Sequence, residues 1–349
     1  MLCCVLLLWI CHAIFSSEAE SALREAGGDW AGMGLGERWR AAWTIGPREL
    51  WGTLTLVRPM ALVWSLGFMG LTIFLGVWRW RMVLRVQGLE LSYGRALEIS
   101  LVAQFFNAFL LGSTGGDVIK AFVTARETHH KKTEAVVAVM ADRVLGLFAM
   151  LLFAGLMMLV NLRFLLEYRE LSAVVWVVVG MLVGCGVFLG LAFWGGLSRA
   201  FPGFRGWLKR VPKGEAIEQA IEAFRHFGRA PGFLVRALGV SVLLNLACVF
   251  QLMALGGGLG IEIPWLLWFV IVPTIICISA LPITPSGLGV RENLYVLTLA
   301  GPGLMVPATE ALAVSLLAYF GFLVWSMIGG VVYVLVRERR HLDEVGAER

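Results

Sequence analysis

Six charged residues interrupt the apolar stretches of this sequence: Asp117, Lys120, Asp142, Arg143, Arg291 and Glu292. Charges at membrane depth are costly and mark function by default. Four of the six stand beside a break in helical continuity. From Leu281 to Glu292, Pro282 and Pro285 withhold backbone donors, and Gly287 and Gly289 let the chain turn just before Arg291 and Glu292. From Asn107 to Lys120, Ser113, Thr114, Gly115 and Gly116 precede Asp117 and Lys120 in the same way. Lipid cannot satisfy exposed backbone, so such breaks survive only inside protein or against a watery cavity.

The chemistry these parts suit is recognition of an anionic head group. An arginine fork binds phosphate through two parallel hydrogen bonds. Backbone donors at a glycine-rich break that opens a helix add to it. Lys120, Arg143 and Arg291 are the candidate phosphate cations. Asp117, Asp142 and Glu292 would position them or meet a cationic part of the head group. Asn107 and the hydroxyls of Ser113, Thr114, Thr284 and Ser286 offer polar contacts, or satisfy freed backbone instead. Adjacent residues do not face each other on a helix. Asp142 is therefore expected to seek a partner such as Lys120, and Glu292 a basic residue of the first break. The alternative is that all six charges merely pair and fix helix register.

Enzyme signatures are not found. Gly115-Gly116-Asp117 matches neither a Walker nor a dinucleotide fingerprint, and no Gly-x-Ser-x-Gly elbow occurs. The six cysteines fall in apolar runs without metal spacing, and His129-His130 are adjacent rather than i, i+4. No metal site, cofactor or nucleic-acid partner is expected.

These residues must be held by membrane helices. Of 349 residues 59% are hydrophobic and 15% charged, with mean hydropathy +0.81. A soluble chain carries about a quarter charged residues. The expected fold class is an all-α polytopic membrane protein of six spans and two re-entrant broken-helix hairpins, in one domain over 1–349. Residues 1–59 hold a short first span at 2–15, or a signal peptide, and a segment whose Trp39 and Trp43 suit a membrane interface or a surface helix. Residues 60–195 form a first half with a hairpin at 92–126. Residues 196–232 form a basic loop with an amphipathic or soluble linker helix. Residues 233–336 form a second half with a hairpin at 264–300, and 337–349 a tail. Arg79, Trp80 and Arg81 read as an interfacial anchor at the end of a span.

Basic residues place both termini in the cytoplasm: segments 79–134 and 196–232 hold eight and seven Lys/Arg, whereas 256–309 holds only Arg291. The five arginines of 16–59 run against this. The first hairpin then dips in from the cytoplasm and the second from outside. Two broken hairpins of opposite orientation suggest an inverted repeat, the plan of many transporters.

With these residues in place, the chain resembles the flippase-like family named for the transmembrane part of lysylphosphatidylglycerol synthase. The resemblance is carried, in order, by Arg79-Trp80-Arg81, Gly115 through Lys120, Asp142-Arg143-Val144-Leu145-Gly146-Leu147, and Pro282 through Glu292. It departs at Ser286, where glycine is frequent, and in its short first span. The resemblance implies a bacterial or archaeal inner-membrane protein. In its relatives the multiple peptide resistance factors, this part moves aminoacylated phosphatidylglycerol between leaflets, and a cytosolic domain makes that lipid. No such domain follows the last span here, so aminoacyl transfer is not implied. The expected function is translocation of a lipid with an anionic or modified head group. The alternative is a membrane-embedded transferase or accessory subunit in lipid-linked sugar, glycolipid or hopanoid synthesis, with Asp142 as its discriminating residue. The expected partners are a membrane lipid and a separately encoded lipid-modifying enzyme; oligomerisation stays open.

Overall fold

The computed structural model describes residues 32–109, 115–128, 131–167, 169–193, 230–280, 289–301 and 304–347, with isolated positions at 12, 15–16, 19–20, 23, 30, 226–228 and 287. Among these the fold is all-helical. In chain order the helices are α1 Leu35–Thr55, α2 Pro59–Val86, α3 Tyr93–Phe109, α4 Gly115–Glu127, α5 Lys132–Val160, α6 Leu162–Glu167, α7 Arg169–Phe193, α8 Pro231–Leu259, α9 Trp265–Ser279, α10 Val290–Leu299 and α11 Ala308–Ala347. Nearly all of the expected first span at 2–15, residues 196–225 of the basic loop, Ser113, Thr114, and Pro282 through Ser286 lie outside the described residues.

Among the described residues four helices are long and apolar enough to cross a membrane: α2, α5, α8 and the part of α11 up to Val336. A 28-residue helix such as α2 spans about 42 Å, more than the ~30 Å hydrocarbon core. α9 and α10, of 15 and 10 residues, are too short to cross alone. The apolar stretch of α7, Val175–Gly190, is also short.

α2 and α8 open alike, each with proline at its first position, where the missing N–H costs nothing. They pack against one another in antiparallel fashion. Near one end, Arg58 N–H donates to Gly258 O at 3.1 Å. Twenty-one residues on, Arg79 reaches Ser241.

α3 and α4 form an antiparallel hairpin. Near its tip, Gly116 lies against Ala103 and Asn107; at its open end, Arg95 pairs with Glu127. A Cβ at Gly116 would meet Ala103 O at 2.0 Å, so only glycine allows this approach. α3 runs alongside α11 just as closely, with Gly329 on Leu101 O and Gly330 on the Phe105 ring.

The packing of α2–α5 repeats in α8–α11. α2 packs on α3, and α8 on α9; α4 packs on α5, and α10 on α11; α3 packs on α11, and α9 on α5. Every packed pair among these eight helices has its counterpart when α2, α3, α4 and α5 are exchanged for α8, α9, α10 and α11. One core gathers around Val77, Trp80, Leu84 and Ala138; another around Leu252, Trp268, Ile275, Tyr295 and Leu299.

Candidate functional site

The first-half charges gather where α2, α4 and α5 meet. Asp142 and Gly146 stand one turn apart on α5 and so share a face. The Arg79 side chain of α2 fills that face. Its Nε donates to Asp142 Oδ1 at 2.9 Å and its Nη1 to Ser241 Oγ of α8 at 3.1 Å. Ser241 in turn donates to Ala237 O at 2.8 Å. A Cβ at Gly146 would stand 2.8 Å from Arg79 Nη2. The guanidinium therefore occupies the space that glycine leaves.

On α4, Asp117, Lys120 and Thr124 share the inner face. Asp117 Oδ2 pairs with Arg143 Nη1 at 3.0 Å. Lys120 Nζ sits 3.9 Å from the ring centroid of Trp80, which is fully buried. Lys120 makes no ion pair among the described residues. The Gly116 N–H donates to Asn107 Oδ1 at 2.7 Å.

The second-half charges are held by the first turn of α10 and by α11. Gly287 and Gly289 adopt φ of +68° and +84°, the left-handed region open to glycine. The turn at Gly289 starts α10 and puts Glu292 at its third position. Glu292 reaches back to accept from Gly289 N–H at 2.6 Å. The same fully buried carboxylate accepts from Arg291 Nη2 at 2.5 Å and from Ser315 Oγ at 3.3 Å. Arg291 Nε donates to Ser315 Oγ at 3.2 Å, and its Cζ lies 4.9 Å from the Tyr319 ring centroid.

Several expectations are thus corrected. Asp142 pairs with Arg79, not Lys120, because Arg79 is buried rather than anchored at an interface. Trp80, read as part of the same anchor, is buried too, whereas Trp78 just before it is exposed. Glu292 pairs with its neighbour Arg291 rather than with the first hairpin. The pairing is possible because Glu292 folds back over the helix start and the long arginine follows it. The N–H groups of Gly116 and Gly289, read as phosphate donors, are taken by Asn107 and Glu292. Asn107 is accordingly a cap for α4.

The residues that sequence reasoning missed are Arg79, Trp80, Ser241, Ser315 and Tyr319. A carboxylate followed one turn later by glycine, as in Asp142 and Gly146, was the signal that a long side chain enters from another helix. The guanidinium on Asp142 occupies the carboxylate that a transferase reading would use as a base.

Four apolar spanning helices, two pairs of shorter helices and buried ion pairs define a multi-pass membrane protein. The chain matches the model of the lysylphosphatidylglycerol synthase transmembrane region over residues 34–339, and it belongs to that family. The family is one of membrane proteins in lipid modification or translocation. A search of the curated proteins found no match.

Proposed function

We propose that this protein translocates a lipid with an anionic or modified head group between the leaflets of a bacterial or archaeal inner membrane. The observation that carries this reading is the repeated packing of α2–α5 and α8–α11, with an ion-paired acidic residue at the third position of each short hairpin helix, Asp117 in α4 and the buried Glu292 in α10. The antiparallel run of α2 and α8 supports an inverted repeat. Inverted repeats with broken helices are the plan on which many transporters build a site near the bilayer midplane. In this reading α3–α4 is re-entrant from the cytoplasm and α9–α10 from outside, and both termini are cytoplasmic. The head group passes along the polar residues of the two hairpins while the tails stay in lipid. A separately encoded enzyme makes or consumes the lipid.

The test is transbilayer movement of labelled phospholipid in vesicles carrying the purified protein. Movement above that of protein-free vesicles, lost in Arg291→Ala that still folds, is the expected result. Equal rates with and without protein would refute the proposal.

A further inference from the structure

The charge balance around Lys120 and the neutral amides of α8 bear on which lipid is carried. Where α2, α4 and α5 meet stand three cations, Arg79, Lys120 and Arg143, against two carboxylates, Asp117 and Asp142. The two arginines are each matched by a carboxylate, which leaves the Lys120 ammonium in excess. Trp80 offers its face to that ammonium at 3.9 Å. A ring quadrupole attracts a cation but does not cancel its charge. In the second half Arg291 and Glu292 neutralise one another. Asp117, Asp142 and Glu292 are therefore each engaged by a guanidinium group, while the Lys120 ammonium has no ion-pair partner among the described residues.

The polar groups of α8 are neutral. Asn245 follows Ser241 by one turn on the same face, and Ser241 holds Arg79. Gln251 stands twenty residues after Pro231, as Arg79 does after Pro59. A Cβ at Gly321 of α11 would be in ordinary contact, 3.7 Å from Leu66 Cδ2 and 4.0 Å from Gln251 Nε2. At the position in α8 that matches Arg79 in α2, the second half carries an amide. Asn245 and Gln251 are 3% and 4% exposed, so the buried polar groups that α8 adds are neutral amides able both to donate and to accept.

We infer that the lipid taken here is a phosphate ester with an uncharged, hydroxyl-bearing head group, its phosphate on Lys120, and that an aminoacylated head group is disfavoured. This rests on the proposed translocation of lipid. An aminoacyl ammonium would need a carboxylate, and Asp142 or Glu292 would first have to release its arginine from a buried pair, which is strongly unfavourable, while Asp117 is held by Arg143. A glycerol, inositol or glycosyl group asks only for amides and hydroxyls.

The test is native mass spectrometry of the full-length protein with defined lipids: phosphatidylglycerol, phosphatidylinositol, a polyprenyl-phosphate sugar and lysylphosphatidylglycerol. At least one of the first three should bind roughly tenfold or more tightly than lysylphosphatidylglycerol, the scale of one charge-assisted hydrogen bond. Which of them binds separates a phospholipid from a polyprenyl carrier. Lys120→Ala should abolish the preference and Lys120→Arg should keep it. Equal or tighter binding of lysylphosphatidylglycerol by the unmutated protein overturns the inference, whatever the variants do. An unchanged preference in a folded Lys120→Ala overturns it as well. Movement of lipid in vesicles without this preference would sink the specificity alone. The preference without movement would sink translocation alone.

Discussion

Arg79 of α2 and Asp142 of α5, 63 positions apart, meet at 2.9 Å in the interior, and the same guanidinium reaches Ser241 of α8. One side chain thereby joins three spanning helices across both halves of the packing pattern. Removing one partner of a buried pair leaves an uncompensated charge, at a cost of about 3–5 kcal/mol. Arg79→Leu and Asp142→Leu should each lower thermal stability in detergent sharply. The double variant should recover most of the loss, because apolar replacement of a whole buried pair is often neutral. Additive losses in the double variant would show that the two residues do not depend on one another.

Gly146 tests the same joint from the other side. A Cβ there would press on Arg79 Nη2 at 2.8 Å. Gly146→Ala should destabilise by about 1–3 kcal/mol, the range of overpacked cores. In an Arg79→Ala background the added methyl meets empty space, and the penalty should vanish. A double-mutant cycle on unfolding midpoints measures the coupling.

The start of α10 is the third joint. Gly289 has φ +84°, where an L residue is strained by roughly 1–2 kcal/mol. Gly289→Ala should therefore weaken the turn that aims Glu292. Glu292→Gln should do more, since a neutral amide leaves Arg291 without its carboxylate at a half-buried position. Ser315→Ala removes a weaker contact to both and should cost about 1 kcal/mol. The order Glu292→Gln, then Gly289→Ala, then Ser315→Ala, from most to least destabilised, is the expected outcome of thermal melts. Ser315→Ala as the most harmful of the three would contradict this account of the turn.

Much of this was legible in the sequence. The apolar runs marked where the long helices lie, since hydropathy over a span is a strong signal, although the charged ends of α2 and α11 run on past them. The breaks at Gly115-Gly116 and Gly287/Gly289 were legible because only glycine tolerates the contacts and angles found there. The pairing of the charges was not. Arg79 sits beside exposed Trp78 and one residue before buried Trp80, and nothing in the run says which face turns inward. Helix rotation is set by packing against α5 and α8, which lie far along the chain. Arg291 and Glu292 were expected to part because mid-helix neighbours diverge. At a helix start, a carboxylate that caps the backbone bends out of that pattern.

The contact of Lys120 with Trp80 gives the most discriminating experiment. The indole face holds the ammonium, but Trp80 Nε1 is buried with no hydrogen-bond partner. Trp80→Phe keeps an aromatic face and removes that unpartnered donor. Trp80→Leu removes the face altogether. Both shrink a fully buried side chain and should lower stability through the cavity they leave. Only the leucine variant should also lose lipid binding, by about 5–30-fold if the cation–π contact contributes 1–2 kcal/mol to placing the ammonium. Native mass spectrometry with phosphatidylglycerol separates the two effects, because melting reads the cavity and bound lipid reads the cation. Equal binding by the phenylalanine and leucine variants would mean that Trp80 only fills space, and that some other contact places Lys120.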